Sequence, residues 1–197
     1  MVTQKKRSQS TRALLQDAFR NIALDQGLES ATTEAVLART GLSKGALYHH
    51  FRSKTDLVEA IYRTESHRAI GKAVESSSAE STMVGRIKAT CAAWLKEIRR
   101  PTVSRILFDI GPQALGVKRV IEIENSLSLK VFEDFLIAAN ERGEISVSNP
   151  ALAARLLNAY VGEVALQKRS DREEAEATIG PVVDAILDSL KPGPRPA

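Results

Sequence analysis

Apolar residues return at three- and four-residue spacing along almost the whole chain, and strict apolar–polar alternation is nearly absent. β-branched residues are scattered rather than gathered into runs. The pattern predicts an all-α protein. With 197 residues, such a chain can bury a substantial core as one large or two small domains. No apolar run reaches the ~18 residues that a membrane span requires.

Capping residues punctuate the first part of the chain closely. Ser10 or Thr11 is suited to start a first helix whose stripe is Leu14, Leu15, Ala18, Phe19, Ile22 and Ala23, with Gly27 as a left-handed stop. Thr32 or Thr33 starts a short second helix that runs to Thr40 and breaks at Gly41. Ser43 starts a third, Lys44 to Phe51. Ser53, with Asp56 three residues on, makes a capping-box-like start for a long fourth helix carrying Leu57 and Ile61. Four helix starts thus fall within about 45 residues.

The rest of the chain predicts longer helices. Ile87, Cys91, Trp94, Leu95 and Ile98 share one face, ended by Pro101; a short helix over 102–110 is expected to break at Gly111-Pro112. A long helical stretch then runs to Arg142 and stops at Gly143. Asn149-Pro150 is a cap followed by a first-turn proline, after which Leu152, Leu156, Tyr160 and Val164 recur every four residues beside Ala153, Leu157 and Val161. A last helix spans about 171–190, with Gly180-Pro181 as a kink or late start. Residues 191–197, KPGPRPA, read as a loose tail.

Charge separates the two parts. Residues 1–56 hold nine Lys/Arg against five Asp/Glu, whereas residues 57–197 hold nineteen of each, so the whole excess of +4 belongs to the N-terminal part. A basic module on a neutral body suits a chain that brings one part to a polyanion. The first residues, MVTQKKRSQSTRALL, are basic but lack the apolar stretch and cleavage site of a secretory signal, so a cytoplasmic location is expected. The single cysteine excludes an internal disulfide and any multi-cysteine zinc site.

Two short helices separated by Thr40-Gly41-Leu42-Ser43 have the spacing of a helix-turn-helix, whose second helix enters the DNA major groove. At ~100° per residue, Leu47 and Phe51 define the buried side of the third helix. Gly45 and His49 lie opposite, flanked by Ala46 and Tyr48, with Lys44 and His50 nearer the edges. Gly45 and Ala46 keep the first turn slim enough to approach base edges, and Lys44, Tyr48 and His49 supply donors to bases or phosphates. Free N–H groups at the helix starts near Thr33, Ser43 and Ser53 suit anionic oxygens, and Lys54 adds a charge in the first turn of helix four. Adjacent His49 and His50 point about 100° apart and cannot converge on one metal as an i, i+4 pair does. Cys91 lies on an apolar stripe with no paired base, and no phosphate loop or carboxylate pair is found, so neither an enzyme nor a bound metal or cofactor is expected.

The stretch TTEAVLARTGLSKGALYHHFRSKTDLVEAIY, residues 32–62, resembles the TetR family of bacterial transcriptional regulators. Its most specific portion is GLSKGALYHHF, 41–51, followed by Lys54, Leu57 and Ile61. Residues 10–62 carry the motif, and RILFDIGPQALG, 105–116, is similar to the family's ligand-binding domains. The resemblance implies an N-terminal three-helix helix-turn-helix DNA-binding domain (1–56), a connecting fourth helix (53–75), and a C-terminal helical ligand-binding and dimerisation domain (57–190). It implies a homodimer on a palindromic operator, most often as a repressor, with DNA contacts from Thr33, Ser43, Lys44, Gly45, Tyr48, His49, His50 and Lys54. The last two helices would form the dimer bundle through Leu152, Leu156, Tyr160, Val164, Val183, Ile186 and Leu187.

Two residues depart from the family pattern. Glu34 stands where a basic or polar residue is common and would repel phosphate unless paired with Arg39 or another base. Leu37 replaces a small alanine where helices two and three cross. The neutral C-terminal part suits a small-molecule effector, with Trp94, Phe108, Leu115 and Phe132 as candidate lining. The competing readings are an enzyme, for which no constellation speaks, and a helical ligand-carrying or partner-binding protein that has lost DNA binding.

Overall fold

The structure is a computed structural model that describes residues 4–166 and 172–192. Ten α-helices and one π-helical segment are present among the described residues, with no strand. They are α1 (Gln4–Gln26), α2 (Thr33–Thr40), α3 (Lys44–His50), α4 (Lys54–Ser76), α5 (Met83–Ile98), α6 (Pro101–Ser104), the π segment Arg105–Ile110, α7 (Gly111–Leu115), α8 (Val117–Glu141), α9 (Pro150–Leu166) and α10 (Arg172–Ser189). None of these helices is long and apolar enough to cross a membrane. The chain divides into two compact units: Met1–Glu65 with Ser104–Val120, and Ser66–Val103 with Ile121–Ala197.

In the first unit, local chemistry sets the ends of α2, α3 and α4. The hydroxyls of Thr32, Ser43 and Ser53 accept hydrogen bonds from the N–H groups of Ala35, Ala46 and Asp56 at 3.1, 3.2 and 3.0 Å. Asp56 completes its cap by accepting from the N–H of Arg52 at 3.1 Å. Gly41 closes α2 at φ +68°, a conformation that costs glycine little, and donates its N–H to Leu37. Helix α3 stops at His50, one residue before the expected end, because Phe51 is already extended. Helix α1 begins well before the expected cap at Ser10 or Thr11. Thr11 instead returns its hydroxyl to the Arg7 carbonyl inside the helix. Leu14, expected in the buried stripe, is 47% exposed, since it sits about 100° around the helix from fully buried Leu15.

The segment Ser104–Val120 belongs to this unit and differs most from expectation. No break occurs at Gly111-Pro112; helical turns continue to Leu115 and end at Gly116. A π turn explains it. The Gly111 N–H bonds the Ile106 carbonyl five residues back, and Pro112, with no N–H to give, occupies the first turn of α7. Glycine at 111 has a steric cause: a Cβ there would stand 2.6 Å from Cε2 of Tyr62 and 3.0 Å from the Ile106 carbonyl. Tyr62 is 1% exposed, so its ring can yield only by repacking its neighbours. Gly111→Ala is therefore expected to cost about 1–3 kcal/mol in denaturant unfolding, and much less in a Tyr62→Leu background, where the obstructing ring is gone. Equal costs in both backgrounds would show that the ring is not the obstacle.

Ion pairs hold this segment further. Arg119 donates to both oxygens of Glu59 at 2.9 and 2.8 Å, and Arg63 also donates to Glu59, at 2.9 Å. Arg105 bonds the Leu24 carbonyl; elsewhere in the unit Arg20 pairs with buried Glu65 at 2.8 Å. The Arg119 hydrogen bond, helped by Arg63, holds the Glu59 carboxyl below its ordinary value of 4.5. A depressed value in the folded state means stability that is present above pH 4.5 and lost as pH falls through the lower, folded value. Thermal melts from neutral pH to about pH 3 are expected to show Glu59→Gln with a lower melting temperature at neutral pH and a shallower acid limb. An unchanged limb would remove Glu59 from the account.

In the second unit, α10 packs against α5 and α9. The first N–H groups of α5, at Met83 and Val84, donate to the Glu144 carboxylate at 3.0 and 2.9 Å, and Thr82 caps Gly85. Asn149 caps α9 through Leu152 at 3.0 Å, as its sequence position predicts. Asn158 ties α9 to α8, donating to Asn125 at 2.8 Å and accepting from Ser128 at 2.6 Å. Cys91 is packed at 2% exposure, and burial pushes its thiol up to about 12, so it stays protonated.

Candidate nucleic-acid interface

Helices α2 and α3 meet through a three-residue turn, and each face of α3 has a distinct job. Leu47, 1% exposed, and Phe51, 2% exposed, seat the helix on the unit's core. On the opposite side Ser43, Lys44, Gly45, Tyr48 and His49 are exposed, while Ala46 and His50 are half-buried. The Lys44 ammonium stands 6.0 Å from the centre of the Tyr48 ring. The structure thus gathers the sequence-predicted residues of α3 on one accessible surface.

Gly45 is informative because nothing inside the protein requires it. Its backbone is helical rather than left-handed, and the nearest atom to an added Cβ would be Oγ of Ser43 at 3.9 Å. Glycine within a helix costs about 0.5–1 kcal/mol relative to alanine. With no internal neighbour to clear, the missing side chain keeps open the space outside the helix.

The other candidates are less simple. Thr33 is half-buried in the first turn of α2, where its hydroxyl donates to Glu34 at 3.1 Å. Lys54 is half-buried as well; its ammonium donates to the Leu28 carbonyl at 2.8 Å and stands 5.9 Å from the Phe19 ring. One of its three donors is therefore spent inside the unit. Glu34 is exposed, and Lys44 rather than Arg39 is the cation that acts on it. A hydrogen bond from its own backbone N–H, then the Thr33 hydroxyl, with the charge of Lys44 adding, hold its carboxyl below the ordinary value. It is charged at neutral pH, beside Lys44.

Sequence reasoning missed Arg12. Its guanidinium donates to the His50 carbonyl at 3.1 Å and lies 4.4 Å from the centre of the Phe51 ring, fastening α1 to the C-terminal end of α3. Nothing in the spacing of the chain marks a contact across 38 positions. Burial, then the charges of His49 and Arg12, lower the pKa of His50, so its imidazole is neutral at pH 7. The rings of His49 and His50 lie edge to face, 5.1 Å between centres.

Comparison with known proteins agrees with this geometry. The family of bacterial regulatory proteins described as the tetR family matches residues 15–61, and the tetracyclin repressor-like C-terminal domain matches residues 84–190. The chain belongs to the TetR family. Against the HTH-type transcriptional regulator UidR of Escherichia coli it is 37% identical over 65 residues, 33% of either chain, so only a third of that relative's length is matched. Across nearly the whole TetR fold it superposes on a TetR-family regulator from Pectobacterium atrosepticum, with 20% identity, a TM-score of 0.78, and 98% of this chain and 100% of that one covered. RolR, solved with its ligand resorcinol, is 11% identical with a TM-score of 0.71, covering 95% and 91%.

The candidate effector residues divide between the units: Trp94, half-buried, and Phe132, 6% exposed, lie in the second, while half-buried Phe108 and Leu115 lie in the first. A small apolar cavity inside the first unit, lined by residues that include Phe19, Val58, Tyr62 and Ile106, measures about 10 Å³, space for one water. None of the four candidates lines it.

Among the candidate dimer residues, Leu152 is 54% and Leu156 62% exposed, one turn apart on α9. Tyr160 is half-buried, with its hydroxyl donating to the Thr178 carbonyl at 3.3 Å, and Ile186 is half-buried. Val183 and Leu187 are buried, at 2% and 0% exposure. They lie with Ile179 on the inner face of α10, turned toward the core of this unit. The Val164 side chain and residues 193–197 of the expected tail lie outside the described residues.

Proposed function

We propose that this regulator is a cytoplasmic repressor that binds a palindromic operator as a homodimer, places α3 of each copy in the major groove, and is released when a small molecule binds its C-terminal region. The observation that carries the reading is the outward face of α3: a glycine with no internal need to be glycine, next to an exposed lysine, tyrosine and histidine. Ser43, Lys44, Gly45, Ala46, Tyr48, His49 and His50 are the residues proposed to meet the duplex, with Thr33 and Lys54 at the adjoining helix starts. Two neighbouring leucines on α9, both more than half exposed, support pairing of two copies there. RolR's resorcinol complex supports control by a small molecule.

Release follows when an effector prefers a conformation whose two α3 helices no longer match half-sites one helical turn apart. Glu34, charged and exposed at the start of α2, favours the second reading of a carrier that has lost DNA binding. Salt separates the two. A dimer neutralising six or more phosphates loses about 10³-fold or more in duplex affinity between about 50 and 200 mM salt. Fluorescence anisotropy with labelled duplex is expected to show that steep fall. Absence of binding at the lowest salt would favour the carrier.

A further inference from the structure

Two buried donors on α5 have no hydrogen-bond acceptor among the described residues. The hydroxyl of Thr90, a residue 4% exposed, makes no hydrogen bond, and neither does the buried Nε of Arg86. A helical threonine commonly returns its hydroxyl to the carbonyl four residues back, as Thr11, Thr40 and Thr64 do here at 3.1, 2.8 and 2.8 Å. Thr90 does not. Arg86 and Thr90 stand one turn apart on the same side of α5.

The guanidinium of Arg86 is held in place by a ring rather than by a carboxylate. Its central carbon lies 5.0 Å from the centre of the Phe135 ring on α8, and Phe135 is itself 8% exposed. Glu144, the acid that reaches the start of α5, spends both oxygens on the N–H groups of Met83 and Val84. Arg86 is half-buried with its Nε enclosed; a guanidinium cannot shed its proton, and an unmatched buried donor destabilises the chain that carries it. An acceptor that enters from outside turns that penalty into affinity. The planar fork of arginine matches a carboxylate, and a hydroxyl one turn away can donate to the same group.

The surroundings indicate the rest of such a ligand. Trp94 follows Thr90 by one further turn on α5, half-buried, and Phe132 precedes Phe135 by one turn on α8 at 6% exposure. All of these residues belong to the second unit. We propose that Arg86 and Thr90 form the polar end of a binding site for a small organic carboxylate with an apolar or aromatic body. The proposal rests on the reading of the C-terminal region as effector-binding and narrows the effector to an anion.

Thermal unfolding of the full chain tests it with benzoate and octanoate as anionic probes and benzyl alcohol as a neutral one. The expected result is a saturable rise of about 2–4 °C with at least one carboxylate, abolished in Arg86→Met and reduced in Thr90→Val. Without probe, both variants are expected to melt at or above the wild-type temperature, because each removes a donor that had no partner. No rise with either carboxylate, an equal rise in Arg86→Met, or a lower melting temperature for both unliganded variants would overturn the site. Competition with a selected operator duplex tests the underlying reading separately. Carboxylates that bind through Arg86 yet leave the duplex bound sustain the site and sink the effector role. Benzyl alcohol that alone raises the melting temperature and releases the duplex sustains the effector role and sinks the carboxylate.

Discussion

Phe51→Ala is expected to destabilise the N-terminal unit by about 3–5 kcal/mol, the usual cost of truncating a fully enclosed aromatic ring. Phe51 is 2% exposed, its N–H closes α3 on the Leu47 carbonyl at 2.9 Å, and the Arg12 guanidinium rests on its ring at 4.4 Å. Truncation leaves a cavity under the end of α3 and removes the surface on which Arg12 packs. Arg12→Ala should cost only about 0.5–1 kcal/mol, because the cation adds to a ring that is already packed. Urea unfolding followed by circular dichroism measures both. A loss below about 1 kcal/mol for Phe51→Ala would mean that α3 is not seated as described.

Gly45→Ala is expected to move stability and DNA binding in opposite directions. The helical backbone accepts alanine, and open space surrounds the new methyl, so the fold gains about 0.4–1 kcal/mol. The same methyl enters the space proposed for the duplex. If base edges approach there as closely as the glycine allows, overpacking costs about 1–3 kcal/mol of binding, roughly five- to 150-fold in affinity. Gly45→Leu would exaggerate the loss of binding without adding to the gain in stability. A more stable protein with unchanged duplex affinity would show that the slim turn serves no external partner.

Short-range chemistry was the legible part of this chain. Thr32, Ser43, Ser53 and Asn149 cap helices because a hydroxyl or amide reaches an N–H three residues on, and sequence spacing records that reach. The burial of Leu47 and Phe51 against the exposure of Gly45 and His49 followed from helical angles alone. Features that depend on a distant neighbour were not legible. Continuation of the helix through Gly111-Pro112 needs the π turn and the Tyr62 ring, 49 positions earlier. The contact of Arg12 with His50 and Phe51 is of the same kind, as is the Leu28 carbonyl that takes the Lys54 ammonium. On α10, apolar spacing fits an inner face and a dimer face equally, and only packing against α5 and α9 assigns Val183 and Leu187 to the interior. Arg86 and Thr90 escaped notice because a sequence shows polar residues on a mixed face, not which of them lack partners.

The central claim is that the outward face of α3 reads base pairs, twice, in a symmetric dimer. Selection of bound sites from random duplex DNA, run in parallel with wild type and with Gly45 and His49 variants, tests it most directly. The wild type is expected to yield a palindromic consensus with half-sites about 10 base pairs apart, and the variants an altered base preference. An enriched sequence without two-fold symmetry, an unaltered consensus in the variants, or no enrichment at all would contradict the claim.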